Sequence, residues 1–308
     1  MTGLLLLNKP LDMRSTQCVE LVRNKLGRKT KVGHGGTLDS TASGLLIILI
    51  GAATRLSNFV MDMPKCYETT ACLGVETSTD DASGEVTGRH EWRQIKEKDI
   101  DLALVSFMGW RMQAPPAVSA VHIEGRRAHE LAREGHAVKT EKKPVFFGSV
   151  VRTGDISEDG RVSFRISCRK GTYIRSFARD LGRILGCGAH VCELRRVSCG
   201  TFCVDDATDA ADLQLTTREE LTEKIFSIES LCPAAATYIC GEEEADRLIN
   251  GLSVPLRKLK RENFARWSTT AGDVVVRSEK IFSICGFNED RRPYYLFPTV
   301  NIISDRSN

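Results

Sequence analysis

The sequence predicts a mixed α/β protein, with one larger domain followed by a smaller β-rich one. Three observations carry this. The chain has 308 residues, enough for about two domains at roughly 100 to 200 residues each. Ahead of Pro233, runs with the two-residue period of strands alternate with segments whose apolar residues recur at helical spacing. Beyond Pro233-Ala234-Ala235-Ala236, short β-type runs dominate, so the expected domains are residues 1–235 and 236–308.

The elements follow in chain order. Gly3 to Leu7 is an apolar run closed by Asn8-Lys9-Pro10 and reads as a strand. Val19, Val22 and Leu26 lie at helical spacing between Thr16 and the stop signal Gly27. Leu45 to Ile50 reads as a buried strand, Thr54 to Met61 as a short helix, and Cys66 to Leu73 as a strand leading into a polar turn from Glu76 to Gly84. Asp99 to Phe107 places Ile100, Leu104 and Phe107 on one helical face. Pro115-Pro116 imposes extended backbone, and Arg127 to Glu134 reads as a helix closed by Gly135. Strands are expected at Val145 to Arg152 and Val162 to Cys168, the second alternating apolar residues with Ser163, Arg165 and Ser167. A helix from Ser176 to Leu185 should bury Phe177, Leu181 and Leu185 and line Arg175, Arg179 and Arg183 along one exposed side. Thr216 and Thr217, each followed three residues later by Glu, mark a capping-box helix start. A helix then ends at Asn250-Gly251, and strands follow at Val274 to Val276, Ile281 to Cys285 and Tyr294 to Phe297.

Composition excludes several classes. With 42% hydrophobic and 27% charged residues the chain reads as an ordinary globular protein. The apolar stretch from Gly44 to Ala53 is too short to cross a bilayer, and Met1-Thr2-Gly3-Leu4 lacks a basic leader, so a cytoplasmic protein is expected. The 11 cysteines include no Cys-x-x-Cys pair, and neither Cys187/Cys192 nor Cys199/Cys203 has zinc-ligand spacing. The histidines at 90, 122, 129, 136 and 190 show no ligand-like spacing either, so no metal is expected. The net charge is only +3, but basic residues cluster at Arg23 to Lys31, Arg165 to Arg183 and Arg257 to Arg261, as a polyanion groove would require.

The most informative segment is Gly33-His34-Gly35-Gly36-Thr37-Leu38-Asp39, a glycine-rich loop that delivers one carboxylate just before a buried strand. It is not a phosphate-binding P-loop, because no Gly-Lys-Ser/Thr follows, and it lacks the third glycine of a dinucleotide fingerprint.

This loop, together with Leu5-Leu6-Leu7-Asn8-Lys9-Pro10, Gly44-Leu45-Leu46 and Gly51-Ala52-Ala53-Thr54-Arg55, resembles the first motif block of the TruB-type pseudouridine synthases. Three more blocks agree in the same order: Lys65-Cys66-Tyr67 with Leu73-Gly74; Gln113-Ala114-Pro115-Pro116 through Ser119-Ala120 to Gly125-Arg126-Arg127-Ala128; and Lys170-Gly171-Thr172-Tyr173-Ile174-Arg175 through Asp180-Leu181-Gly182 to Leu194-Arg195-Arg196. The C-terminal stretch resembles that family's small PUA-like RNA-binding domain more weakly.

The resemblance implies a mixed α/β (α+β) fold around a largely antiparallel sheet, with a PUA-like appendage. It implies cofactor-independent isomerisation of a uridine in the tRNA T-loop, at position 55, to pseudouridine. Asp39 matches the essential aspartate, His34 the residue that helps displace the target base, Tyr67 the tyrosine stacked on it, and Arg175 the arginine paired with the aspartate; Tyr173 and Leu194 match pocket-lining residues. The chemistry agrees. Breaking the ribose-to-nitrogen bond and joining ribose to a base carbon needs a carboxylate acting as nucleophile or base, an arginine stabilises the carboxylate form, and the base must leave its stack. Tyr67 could also assist proton removal from the base carbon. Taken singly, Tyr67 is ordinary strand packing, Arg175 a surface charge and His34 a loop hydrogen-bonder; their joint order gives them meaning.

Departures from the family pattern are Gly35 in place of Thr or Ser and Ser40 in place of Pro, from which a more mobile loop is expected, and Val118, His122 and His129 in place of Tyr, Lys and Tyr. The expected partner is tRNA, with no membrane, no guide RNA, no metal or other cofactor, and a monomeric chain. The alternatives are an RNA-binding tRNA-folding chaperone with catalysis secondary or absent, and the guide-RNA-dependent synthase of larger particles, which usually carries basic tails.

Overall fold

The computed structural model describes residues 1–118, 122–123, 126–127, 140–231, 236–262, 274–287 and 295–303. The expected helix from Arg127 to Glu134 lies outside them except for Arg127, which sits in a short strand, and the boundary at Pro233 to Ala235, the motif residues Ser119, Ala120, Gly125 and Ala128, and His129 and His136 lie outside them as well.

The larger sheet is built from β1 (Gly3–Lys9), β2 (Val32–His34), β3 (Ser43–Ile50), β4 (Lys65–Leu73), β7 (Gly109–Gln113), β10 (Lys143–Arg152), β11 (Arg161–Cys168), β12 (Ala189–Cys199), β13 (Phe202–Cys203) and β14 (Thr208–Asp209). Two small hairpins, β5 (Val75–Thr77) with β6 (Val86–Arg89) and β8 (His122–Ile123) with β9 (Arg126–Arg127), stand outside it. The strand order is β14-β1-β3-β12-β4-β11-β10-β7, with β2 beside β3 and β13 beside β12. Only the β1/β14 and β12/β3 pairings are parallel, so the sheet is largely antiparallel, as expected. A second sheet follows: β15 (Thr237–Ile239), β16 (Val254–Pro255), β17 (Lys260–Arg261), β18 (Val274–Arg277), β19 (Ile281–Phe287) and β20 (Tyr295–Ile303), in the order β16-β20-β19-β18-β15-β17.

The continuous apolar runs of β1 and β3 arise because both faces of the sheet are covered there. Leu4, Leu6, Leu45, Ile47 and Leu49 meet Val275, Phe282, Ile284 and Ile302 of the second sheet. Leu5, Leu7, Leu46, Ile48 and Ile50 meet Cys18, Val19, Val22 and Leu26 of α1 (Ser15–Leu26). An alternating pattern would bury polar residues on one of these sides. The β4-β11-β10 half is covered on one face by α3 (Glu97–Val105) and α4 (Ile174–Leu185), and there the strands alternate: Val162, Phe164, Ile166 and Cys168 are buried between half-exposed or exposed Ser163, Arg165 and Ser167. Phe177 is the centre of this core, edge-on to Phe107 and Phe164.

Several expectations need correction. The segment after β3 is a 3₁₀ turn, Gly51–Leu56, followed by α2 (Ser57–Asp62), rather than one helix. β12 was not anticipated, because register shifts between Val191 and Glu193 and between Arg196 and Ser198 break the two-residue period that would announce it. The arginines of α4 do not form an exposed row: Arg175 is buried, Arg179 is nearly so, and only Arg183 is exposed. Thr217 does cap α5 (Arg218–Glu223), its hydroxyl accepting from the Glu220 amide, and α6 (Glu242–Ile249) ends at Asn250.

Candidate active site

Asp39 is held in place from two directions. Lys9, fully buried at the end of β1, donates to the carbonyls of Pro10 (2.8 Å) and Met13 (2.7 Å) and so fixes the turn before α1. From that turn the Asp12 amide donates to Ser40 O at 2.8 Å. From the first turn of α1, the Ser15 hydroxyl donates to Leu38 O (3.0 Å) and accepts from Leu38 N (2.9 Å), so Leu38 is clamped on both sides with its side chain in the main core. The residue that follows must emerge from that clamp, and the Asp39 side chain is 43% exposed.

Arg175, in the first turn of α4, meets it. Its Nη2 lies 2.8 Å from Asp39 Oδ2, and the guanidinium side chain is only 6% exposed. Nη1 donates to Thr79 O at 3.1 Å and lies 3.7 Å from Asp81 Oδ2. Asp81 is a second, buried carboxylate that the sequence reading did not single out. Burial works against its charged form, but bonds from the Ser83 and Thr79 hydroxyls, the charge of Arg175 and the Ser83 amide outweigh it and leave the Asp81 carboxyl below its ordinary range. The planar two-pronged guanidinium thus serves two carboxylates at once, which a point-charge ammonium cannot do.

Arg196 is the other residue whose role went unread. It is buried, with Nε donating to Leu45 O at 2.7 Å and its terminal nitrogens to Gly36 O (3.3 Å) and Thr37 O (3.4 Å), and its charge acts on the Tyr67 phenol. One side chain therefore ties the glycine loop to β3 and places its charge beside the aromatic ring of β4. It reaches the loop because β12 runs close beside β3: a Cβ on Gly44, which has φ +103°, would stand 2.2 Å from Arg196 O. The only sequence signal for it was membership of a motif.

Tyr67 faces the main core together with Leu38 and Leu194, so the structure brings the proposed platform, wall and loop to one edge of that core. Its approach is set by Lys65, whose buried ammonium donates to the carbonyls of Val60, Met61 and Met63 at the C-terminal end of α2. Burial pushes the Tyr67 phenol up to about 12, against the opposing pull of Arg196. The phenol is therefore neutral near pH 7, a stacking surface before it is a base. Tyr173 precedes α4 and is gripped by Gln113, whose side chain bonds both its amide (2.9 Å) and its carbonyl (3.1 Å). His34 lies at the end of β2 and lines a groove with Thr16, Glu20, Arg23 and Ser57. Its Nδ1 accepts from the Gly36 amide at 3.3 Å, and burial, then the charge of Arg196, lowers its pKa, favouring the neutral ring.

The loop is packed rather than loosened at Gly35. Gly35 is buried, its amide donates to Ile47 O at 2.9 Å, and a Cβ there would stand 2.2 Å from Val60 Cγ1. The branched Val60 occupies the volume that a side chain at position 35 would need.

Comparison with known proteins gives the family of the chain. Residues 23–174 match the TruB family pseudouridylate synthase N-terminal domain, and residues 175–233 match the tRNA pseudouridylate synthase B C-terminal domain. The chain is 42% identical over 211 residues to tRNA pseudouridine synthase B of Prochlorococcus marinus, covering 68% of this chain and 67% of that one. It is 39% identical over 234 residues to tRNA pseudouridine synthase B of Desulfotalea psychrophila, covering 74% and 95%. Its fold superposes on a chain in the crystal structure of a Cbf5-Nop10-Gar1 complex with a TM-score of 0.69 at 22% identity, over 98% of this chain and 84% of the other. With the family matched over consecutive domains and these relatives covered over two thirds or more of their length, the chain belongs to the TruB family of pseudouridylate synthases.

Proposed function

We propose that this chain isomerises a uridine of the tRNA T-loop to pseudouridine, acting alone on tRNA, with Asp39 as the nucleophile. The observation that carries the reading is the pairing of a half-exposed carboxylate on a clamped loop with a buried arginine, 2.8 Å apart. Relatives at 39% and 42% identity named tRNA pseudouridine synthase B support the substrate class. Stand-alone action on tRNA is favoured by those same relatives, whose names specify tRNA.

The reaction balances without a cofactor, because reactant and product are isomers. Asp39 attacks the ribose C1′ and the C1′–N1 bond breaks, its electron pair leaving with the base. Tyr67 and Leu194 hold the freed base while it turns. C5 then attacks C1′ and expels the carboxylate, the C5 proton is lost and N1 gains one. Arg175 engages Asp39 through Oδ2, leaving Oδ1 to attack. His34 fills the space the flipped nucleotide leaves, a role that suits a neutral ring. Tyr173, fixed by Gln113, lines the same pocket. Residues 1–235 form the catalytic domain in this reading and 236–308 the RNA-binding appendage; the second sheet, which begins at Thr237, supports that division. In this reading the chain works as a monomer in the cytoplasm; among the described residues no helix is long and apolar enough to cross a membrane.

The test is to incubate the wild-type chain and Asp39→Asn with unmodified tRNA transcript and to map pseudouridine chemically. Modification of the T-loop uridine by wild type and its loss in the variant are expected. Binding of transcript without modification by wild type would instead make the chain an RNA-folding factor.

A further inference from the structure

On the face of the large sheet opposite the core that holds Tyr67, three side chains with no part in the proposed reaction converge. His190 pairs with Cys72 across β12 and β4, and the register shift between Val191 and Glu193 brings Cys192 to the same patch. The two sulfurs and one imidazole nitrogen all lie within 4.8 Å of one another, with Cys192 Sγ 3.9 Å from His190 Nε2.

The orientation of the ring decides what this cluster can do. His190 Nδ1 lies 2.9 Å from Val75 O, and a carbonyl only accepts, so Nδ1 carries the proton and Nε2 presents its lone pair to the sulfurs. A backbone carbonyl holding the far nitrogen is the arrangement that orients a metal-binding histidine. His190 is buried while both cysteines are half-buried, so the cluster is rigid on one side and open to solvent on the other. Arg161, the cross-strand neighbour of Cys72, has its charge met by Asp159 at 2.8 Å and Glu193 at 3.8 Å.

We propose that Cys72, Cys192 and His190 form a three-ligand site for a zinc-class divalent cation, with solvent in the fourth position. Tetrahedral zinc with sulfur at about 2.3 Å and nitrogen at about 2.0 Å sets its ligand atoms about 3.4 to 3.8 Å apart. The observed spacing reaches that by rotation of the cysteine side chains. The thiol protons leave to solvent as the two sulfurs bind, and the cation staples β4 to β12 where the bulge interrupts their ladder. Spacing along the chain hides the site, since Cys72 and His190 are brought together by strand pairing alone.

The test uses the full chain, stripped of metal with a chelator and kept reduced, titrated with Zn²⁺ against a chromophoric competitor and separately with Co²⁺ in absorbance. Wild type is expected to bind one equivalent and to show thiolate-to-cobalt absorption. Cys72→Ser, Cys192→Ser and His190→Gln should each weaken binding by more than the roughly 10- to 100-fold that loss of an outer-shell partner costs, while metal-free pseudouridine formation by the serine variants stays at the metal-free wild-type rate. Should His190→Gln fail to fold, the near-isosteric serine variants carry the test. Absence of stoichiometric binding by wild type would overturn the proposal, as would undiminished binding by the Cys72→Ser/Cys192→Ser double variant.

Discussion

Replacing Arg175 by lysine separates the two tasks that the guanidinium performs together. Nη2 holds Asp39 at 2.8 Å, while Nη1 serves Thr79 O and the buried Asp81. A single ammonium must choose. Leaving a buried carboxylate without its cation costs about 3 to 5 kcal/mol, whereas Asp39, at 43% exposure, can be hydrated. The lysine therefore stays with Asp81, and Asp39 loses one charge-assisted hydrogen bond worth about 1.5 to 3 kcal/mol. If that bond orients the attacking carboxylate in the transition state, the single-turnover rate falls roughly 10- to 100-fold, with little change in melting temperature. Arg175→Met removes both interactions. Three hydrogen bonds from Thr79 and Ser83 still reach Asp81, so the loss sits at the low end, about 3 kcal/mol, or a melting temperature lowered by roughly 6 to 12 °C. The assay is single-turnover pseudouridine formation on unmodified transcript beside thermal unfolding of each variant. A lysine variant at the wild-type rate, with Asp39→Asn inactive, would refute the orienting role, and a methionine variant melting with wild type would refute the dependence of Asp81 on the cation.

Two further outcomes follow from local packing and from burial. Gly35→Ser alone should destabilise the fold by about 1 to 3 kcal/mol, because its Cβ meets Val60, and Val60→Ala should recover part of that loss, giving a coupling of about 1 to 2 kcal/mol in a double-mutant cycle read by denaturant unfolding; additive losses would show that the two positions do not compete for one volume. Tyr67, whose phenol burial pushes up to about 12 against 10 for a free phenol, should ionise late in an ultraviolet pH titration, and Tyr67→Phe should remove that late component. The folded chain holds this proton more tightly than the unfolded chain, so the stability due to it is intact below pH 10 and falls as pH rises from about 10 to 12; a titration in which all tyrosines ionise together near 10 would contradict the burial argument.

The chain reveals its elements wherever one rule governs a residue. β1, β3 and β11 are legible because an unbroken apolar run means two covered faces and an alternating one means a single covered face. Asp39 is legible because the glycine-rich segment that ends in it stands in order with three further motif blocks, whereas alone it would read as a turn capped by a surface acid. β12 is not, since its bulges break the period, and neither is the burial of Arg175 and Arg179, because helical spacing places them on one side without saying that acidic residues of the β5–β6 turn lie against that side.

Local composition and the order of its motifs were thus enough to settle the family, the mixed α/β fold and the loop that carries Asp39. Tertiary structure alone decided the partners of these residues: Asp81 on Arg175, Arg196 across the glycine loop to Tyr67, Val60 against Gly35, and Cys72 beside His190. The reason is physical. Turn chemistry and hydrophobic period act between near neighbours in the chain, whereas desolvation, charge pairing and close approach depend on which strands lie side by side.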